Sequence, residues 1–294
     1  MTEEIIGQYS GLDTWPTRDI VKAMYDGQVK AVQAVEPSID AIADAVDMAA
    51  NRLGKAGRLI YIGAGTSGRL AVQDGSELGP TFNWPHTRIV YGMAGGMDAL
   101  VTSQEGAEDN IEAGHVFIRS IDTAPEDIVF CVAASGQTPY TLGALREARS
   151  RGAVTIGIVN NANTAIFNEA DHGILAETGG EIIAGSTRMK AGTAQKAVLN
   201  MLSTAIMTRL GRVYDGLMVD MIVSNAKLEN RAINMVAQIA ACSTDTAKAA
   251  LAETNNHIKQ AVLVSLGASH IQSKGILIQA NDNLRAAIGI FENQ

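Results

Sequence analysis

Aromatic residues make up only 4% of this 294-residue sequence, and it holds just 2 cysteines and 6 prolines. With so few rings, the core has to be filled by aliphatic side chains and alanine packed closely together. Cys131 and Cys242 offer neither a disulfide framework nor zinc-ligand spacing. Cys131 lies in the apolar run Ile128-Val129-Phe130-Cys131-Val132 and reads as a small buried hydrophobe. No Lys/Arg cluster is present and the formal net charge is −8, which argues against a nucleic-acid partner and against an anionic membrane surface. No apolar run reaches about 18 residues, and the acidic start Met1-Thr2-Glu3-Glu4 has no basic n-region. Neither a signal peptide nor a membrane span is therefore expected, and a cytoplasmic location is. The five histidines (His86, His115, His172, His257, His270) form no i,i+4 ligand pair, and there is no Ser–His–Asp signature. No metal and no cofactor are expected.

What the sequence does have is glycine, 29 residues of it, and a hydrophobic content of 47%. Three of those glycines organise the stretch Arg58-Leu59-Ile60-Tyr61-Ile62-Gly63-Ala64-Gly65-Thr66-Ser67-Gly68-Arg69. It reads as a strand buried on both faces, a glycine turn and the start of a helix. A helix N-terminus behind such a turn carries unpaired amides and partial positive charge, a ready anion site. The Gly63-x-Gly65-x-x-Gly68 spacing also fits a dinucleotide fingerprint, which needs a carboxylate at the end of the next strand. That strand, Arg88-Ile89-Val90-Tyr91, ends in Gly92-Met93-Ala94-Gly95-Gly96 instead. The turn carries hydroxyls, Thr66 and Ser67, and reads as a phosphomonoester cradle, with an unliganded tight turn as the plain alternative.

Around it the chain alternates strands and helices. Helices are expected over 18–35, capped by Thr17, and from Ser38 to Gly54. Strands are expected at 58–62, 88–92, 128–132, 154–159 and 173–176, with helices over 68–76, Met97–Ala107, from there to about 119, and 140–151. This pattern predicts an α/β fold with a three-layer, doubly wound parallel sheet. Beyond residue 186 the strand signal fades into helices at 189–210, 225–241, 243–252, 255–266 and 269–292. Two parts are expected, a domain over 1–240 and a small helical region over 241–294.

Two further turns carry chemistry. Ser135-Gly136-Gln137-Thr138-Pro139 follows an apolar strand and precedes a helix, as the first turn does. Ser67, Ser135 and Thr138 would then donate to one phosphate at the carboxyl ends of the strands. Taken alone, Thr138 before Pro139 is more simply a helix N-cap. In Gly185-Ser186-Thr187-Arg188-Met189-Lys190-Ala191-Gly192-Thr193 hydroxyls crowd a helix start beside Arg188 and Lys190. Cations there are unfavourable unless an anion joins them, which points to ligand contact. Glu77 and Glu108 are loop carboxylates that no spacing rule connects.

These residues resemble the N-acetylmuramic acid 6-phosphate etherase family. The resemblance rests on Gly63–Leu70, on Glu105-Gly106-Ala107-Glu108-Asp109, and above all on the run from Gly185 to Lys196, and it continues through Leu199–Met221. It spans about Leu12 to Ala287. The family is built on a phosphosugar-binding SIS domain, flavodoxin-like, with a small helical C-terminal region, and is related to the non-catalytic glucokinase regulatory protein. The resemblance implies cleavage of the D-lactyl ether at C3 of the phosphorylated sugar, giving N-acetylglucosamine 6-phosphate and D-lactate. It implies Glu77 and Glu108 as the catalytic pair, Glu77 as acid at the ether oxygen and Glu108 as base. Thr66, Ser67, Gly68, Ser135, Gln137, Thr138, Ser186, Thr187 and Lys190 are the expected substrate-binding residues. A homodimer acting on a small phosphosugar is expected. Two positions depart from the family: Leu78-Gly79-Pro80-Thr81 replaces Cys-Pro-Pro-Thr, and Gln137 replaces an arginine. A phosphosugar sensor and an aldose–ketose isomerase are the alternatives.

Overall fold

Strands made almost entirely of apolar residues, with no polar alternation, bury both faces, and the computed structural model places them at the centre of the first half of the chain. It describes residues 1–102 and 104–293. In order come α1 (Thr17–Gln33), α2 (Ile39–Leu53), β1 (Leu59–Gly63), α3 (Gly65–Ser76), α4 (Leu78–Phe82) and β2 (Ile89–Met93). Then follow α5 (Ile111–Ser120), β3 (Ile128–Ala133), α6 (Pro139–Ser150), β4 (Val154–Val159), α7 (Ala165–Glu169), β5 (His172–Leu175) and α8 (Lys190–Arg209). The strands form one parallel sheet in the order β2-β1-β3-β4-β5, with Leu59 opposite Ile89 on one side and Ile128 on the other. This is the flavodoxin-like order, with its switch point between β1 and β3.

Side-chain alternation builds the layers. Ile60, Ile62, Val129, Cys131 and Val159 share an apolar cluster with Ile118 of α5, Leu145 and Ala148 of α6 and Ile166 of α7. On the opposite face Tyr61 packs on Phe130, ring centroids 4.9 Å apart, and its hydroxyl donates to Asp74 of α3 at 3.0 Å. Asn200 and Ser203 of α8 donate to the same carboxylate at 2.5 and 3.1 Å. Burial raises the Asp74 pKa, and those three hydrogen bonds oppose it. At the other end of the sheet, buried Asp127 clamps β1 to β3 by accepting from the Arg58 backbone and guanidinium, at distances down to 2.6 Å.

Several boundaries moved. The helix expected over Met97–Ala107 is a short 3-10 turn at Met97–Leu100 and another at Ala107–Asp109, interrupted by Gly106 at φ +70. Residue 103 lies outside the described residues. Pro16, not Thr17, occupies the N-cap of α1, and Ser38 spends its hydroxyl on the Leu175 carbonyl at 2.6 Å instead of capping α2.

The chain divides into two compact units, residues 1–76 with 86–204, and 77–85 with 205–294. The expected division at 240 falls inside the second unit. There α9 (Ala226–Ile239) shares one apolar cluster with α10 (Thr244–Glu253), α11 (Ile258–Ser265), α12 (His270–Gln279) and α13 (Leu284–Glu292). The stretch expected as one helix over 269–292 breaks at Asn281 and Asp282, both left-handed at φ 50 and 60. Under these helices the Lys259 ammonium, 0% exposed, lies 2.6 Å from Asp220 and 2.9 Å from Asp282.

Burial raises the Asp220 pKa even with Lys259 beside it, so the folded state holds this proton more tightly than the unfolded chain does. Lys259→Met leaves that buried carboxylate only the Arg212 guanidinium, 3.6 Å away, and should cost about 3 kcal/mol at neutral pH. Because the folded pKa lies above the unfolded one, the variant takes up a proton on folding as the pH falls. Its deficit should therefore shrink from about pH 7 towards about pH 4 in urea unfolding. An equal deficit at both ends would contradict this account.

Candidate active site

Two turns leave the sheet at the carboxyl ends of adjacent strands, and they meet. Gly63 ends β1, and a Cβ placed on it would lie 2.8 Å from both the Cα and the nitrogen of Gly68. Only glycine at these positions lets the first turn of α3 close onto the strand. After β3, Gly136 adopts φ +66, with Thr164 filling the space a side chain would need. The two turns wall a cleft of about 410 Å3, lined by Ala64–Ser67, by Ala134, Ser135 and Gln137–Pro139, and by Glu108, Asp109, Gly185, Thr187 and Glu3. A neighbouring cleft, of about 340 Å3, shares Ala64, Gly65 and Glu108 with it. Glu108 thus stands on the ridge between the two, and Arg69 braces the second by donating to the carbonyls of Ala99 and Leu100, each at 2.9 Å.

Of the expected binding residues, the cleft gathers Thr66, Ser67, Ser135, Gln137, Thr138 and Thr187. Thr138 sits at the N-cap of α6 with Pro139 behind it, yet its hydroxyl makes no capping bond. It pairs with the Ser135 hydroxyl at 3.3 Å, and Ser135 Oγ also accepts from the Gln137 amide at 3.2 Å. Ser67 is buried and its hydroxyl donates to Gln195 Oε1 at 3.0 Å. Glu108 is exposed on the 3-10 turn Ala107–Asp109.

Three expected residues do not line the cleft. The Gly68 amide donates to the Ala64 carbonyl, and its role is the close approach to β1. Ser186 sits in the turn before α8, where its amide donates to Ile183. Lys190 is buried and gives its ammonium to the Thr178 carbonyl at 2.9 Å, with burial pulling its pKa down. The anion that the α8 N-terminus calls for is built in: fully buried Glu181 accepts from the Lys190 and Ala191 amides at 3.0 and 2.9 Å. The basic first turn therefore needs no ligand to explain it. Thr193 likewise bonds to Gln28 of α1. Glu77 belongs to the second unit, exposed at the N-cap of α4 without a capping bond.

Sequence reasoning passed over Glu181, Glu3, Asn160 and Gln195. Glu181 lies nine residues before the helix it caps, outside any capping pattern, and Glu3 comes from an irregular N-terminal segment. Among the described residues no group of three or more metal-ligating side chains occurs, and no single helix is long and apolar enough to cross a membrane.

A model of the glucokinase regulatory protein N-terminal SIS domain matches residues 41–149, and a SIS domain model matches 115–205. The sequence is 44% identical over 289 residues to an N-acetylmuramic acid 6-phosphate etherase of Deinococcus radiodurans, covering 98% of this chain and 95% of the relative. To an N-acetylmuramic acid 6-phosphate etherase of Bacillus subtilis it is 44% identical over 273 residues, 92% of this chain and 90% of that one. The structure of a phosphoheptose isomerase from Francisella tularensis aligns with a TM-score of 0.50 at 17% identity, over 66% of this chain and all of that one. At that identity the likeness is one of fold.

If Glu181 is the internal anion of the α8 N-terminus, Glu181→Ala should lower stability by about 1–3 kcal/mol, through two stranded buried amides. Glu181→Gln, which keeps one acceptor, should lose less. Urea denaturation of both variants checks the order, and equal losses would contradict it.

Proposed function

The chain belongs to the N-acetylmuramic acid 6-phosphate etherase family, and from that premise we infer how the cleft serves its chemistry. The enzyme is a carbon–oxygen lyase acting on N-acetylmuramic acid 6-phosphate, releasing D-lactate and leaving N-acetylglucosamine 6-phosphate. The observation that carries our reading is the convergence of the turns after β1 and β3 on one cleft with Glu108 at its edge. We assign the ester phosphate to the Ser135–Thr138 hydroxyls, Thr66, Gln137, Thr187 and the amides at the starts of α3 and α6.

An ether oxygen is a poor leaving group, and the C2 hydrogen is acidic only while C1 is an open-chain aldehyde. In our reading Glu108, as carboxylate, takes the C2 proton, and the electron pair forms the C2–C3 double bond as the C3–O bond breaks. Glu77, as carboxylic acid, protonates the departing lactyl oxygen. Water then adds at C3 of the unsaturated aldehyde, losing a proton to the Glu77 carboxylate, while Glu108 returns its proton to C2. The reaction thus consumes one water and restores both carboxyl groups. The homodimer, the cytoplasmic location and a place in recycling cell-wall amino sugars belong to the same proposal.

A sensor that binds without converting is the second reading, favoured by the match to the glucokinase regulatory protein model and by Leu78-Gly79 and Gln137. Incubation with N-acetylmuramic acid 6-phosphate separates the two. Turnover should release D-lactate, and in heavy-oxygen water the label should enter the sugar and not the lactate. Glu108→Gln and Glu77→Gln should each lower kcat by about 10²–10⁴-fold. Phosphosugar binding with no lactate release would select the sensor, and full activity in both variants would remove the catalytic assignment.

A further inference from the structure

A single file of polar groups runs from the cleft into the interior of the first unit. Ser67 Oγ donates to Gln195 Oε1 at 3.0 Å, Gln195 Nε2 donates to Asn160 Oδ1 at 2.9 Å, and Asn160 Nδ2 donates to the Ala176 carbonyl at 2.8 Å. Ser67 is 8% exposed, and Gln195 and Asn160 are each 1% exposed, so bulk water offers the two amides no alternative partners.

The direction of donation along this file is fixed from its inner end. A backbone carbonyl can only accept, so Asn160 must turn its NH2 group to Ala176. The Asn160 oxygen then faces Gln195, which must present NH2 in turn. That leaves the Gln195 oxygen facing Ser67, and the Ser67 hydroxyl must donate inward. Flipping Asn160 sets its oxygen against the Ala176 carbonyl, and flipping Gln195 alone sets its oxygen against that of Asn160. Ser67 has one proton, and the interior takes it. The Ser135–Thr138 pair differs: at most one of its two protons is spent between the two oxygens, and the other stays free for the cleft.

We infer that the Ser67 hydroxyl meets the phosphosugar as a hydrogen-bond acceptor, taking a hydrogen from a hydroxyl of the sugar and donating nothing to its phosphate. Gln195 and Asn160 are positioning residues that set this polarity through Ser67. A phosphate dianion has only lone pairs to offer, so facing Ser67 Oγ it would meet oxygen against oxygen. The inference rests on the cleft being the phosphosugar site, and it assigns within that site which group reads sugar and which reads anion. It replaces the expectation that Ser67, Ser135 and Thr138 act alike.

The test is calorimetric binding of two esters to the full chain, methyl phosphate and N-acetylglucosamine 6-phosphate. At about pH 8 both are dianions, since the second pKa of such esters is about 6. Ser67→Ala should weaken the phosphosugar by about tenfold while methyl phosphate stays within about threefold. Gln195→Met frees the Ser67 proton for the cleft, so it should tighten methyl phosphate severalfold; it also strands the Asn160 oxygen and lowers the thermal midpoint, so a single cooperative transition well above the assay temperature is what shows that the fold is kept. Equal weakening of both esters by Ser67→Ala would make Ser67 a phosphate donor and overturn the inference. So would no weakening of either, or weaker methyl phosphate binding in a folded Gln195→Met. Should the unaltered protein bind methyl phosphate as well as the phosphosugar, the reading of the cleft itself falls, and this inference with it.

Discussion

The first turn of α3 lies directly on the backbone of β1, with no side chain between Gly63 and Gly68. That contact sets how far Thr66 and Ser67 stand from the carboxyl edge of the sheet, and so where one wall of the cleft is. A methyl group at Gly63 would push the helix away from the strand, and Tyr61, Asp74 and Asn200 behind it would lose their register with one another. The parallel sheet order then brings the turn after β3 alongside, because β1 and β3 are neighbours although a strand separates them in sequence.

The chain is acidic overall, and the cleft does nothing to reverse that locally. Among its described lining residues there is no lysine or arginine, while Glu3, Glu108 and Asp109 all border it. Any hold on an anion here has to come from hydroxyls, from amides and from the N-terminal ends of α3 and α6, which are short-range and directional. Lys190, one of the cations at the start of α8, gives its ammonium to the Thr178 carbonyl, and the first amides of that helix are held by the buried carboxylate of Glu181.

Much of the fold was legible because its signals are local. Short apolar runs, three of them leading into glycine-bearing turns, marked all five strands within a residue or so, and their alternation with helices predicted the layered sheet. What failed was equally local in cause. Glycine at 106 and the left-handed pair Asn281–Asp282 broke stretches whose apolar spacing alone reads as helix. The sequence marks 225–241 as a helix of its own but not which elements it packs with, and only packing shows that α9 shares its core with the C-terminal helices. Of the site, the two hydroxyl turns were visible as repeats of one pattern. The capping carboxylate was not, since Glu181 reaches the α8 amides across a loop that obeys no spacing rule.

Hydroxyls that look equivalent in the sequence are not equivalent in the structure. Thr138 resembles a helix cap, yet it leaves its helix uncapped and its hydroxyl pairs with that of Ser135. Ser67 resembles a phosphate donor, yet its proton is already spent on a file of amides whose direction is dictated by a carbonyl at the end of β5. A motif records which atoms are present at a turn, but a serine can donate or accept, and only its buried neighbours decide which. The same few residues therefore yield different chemistry according to what lies one and two hydrogen bonds behind them, and here that second layer comes from β4, β5 and α8, far in sequence from the turn it governs.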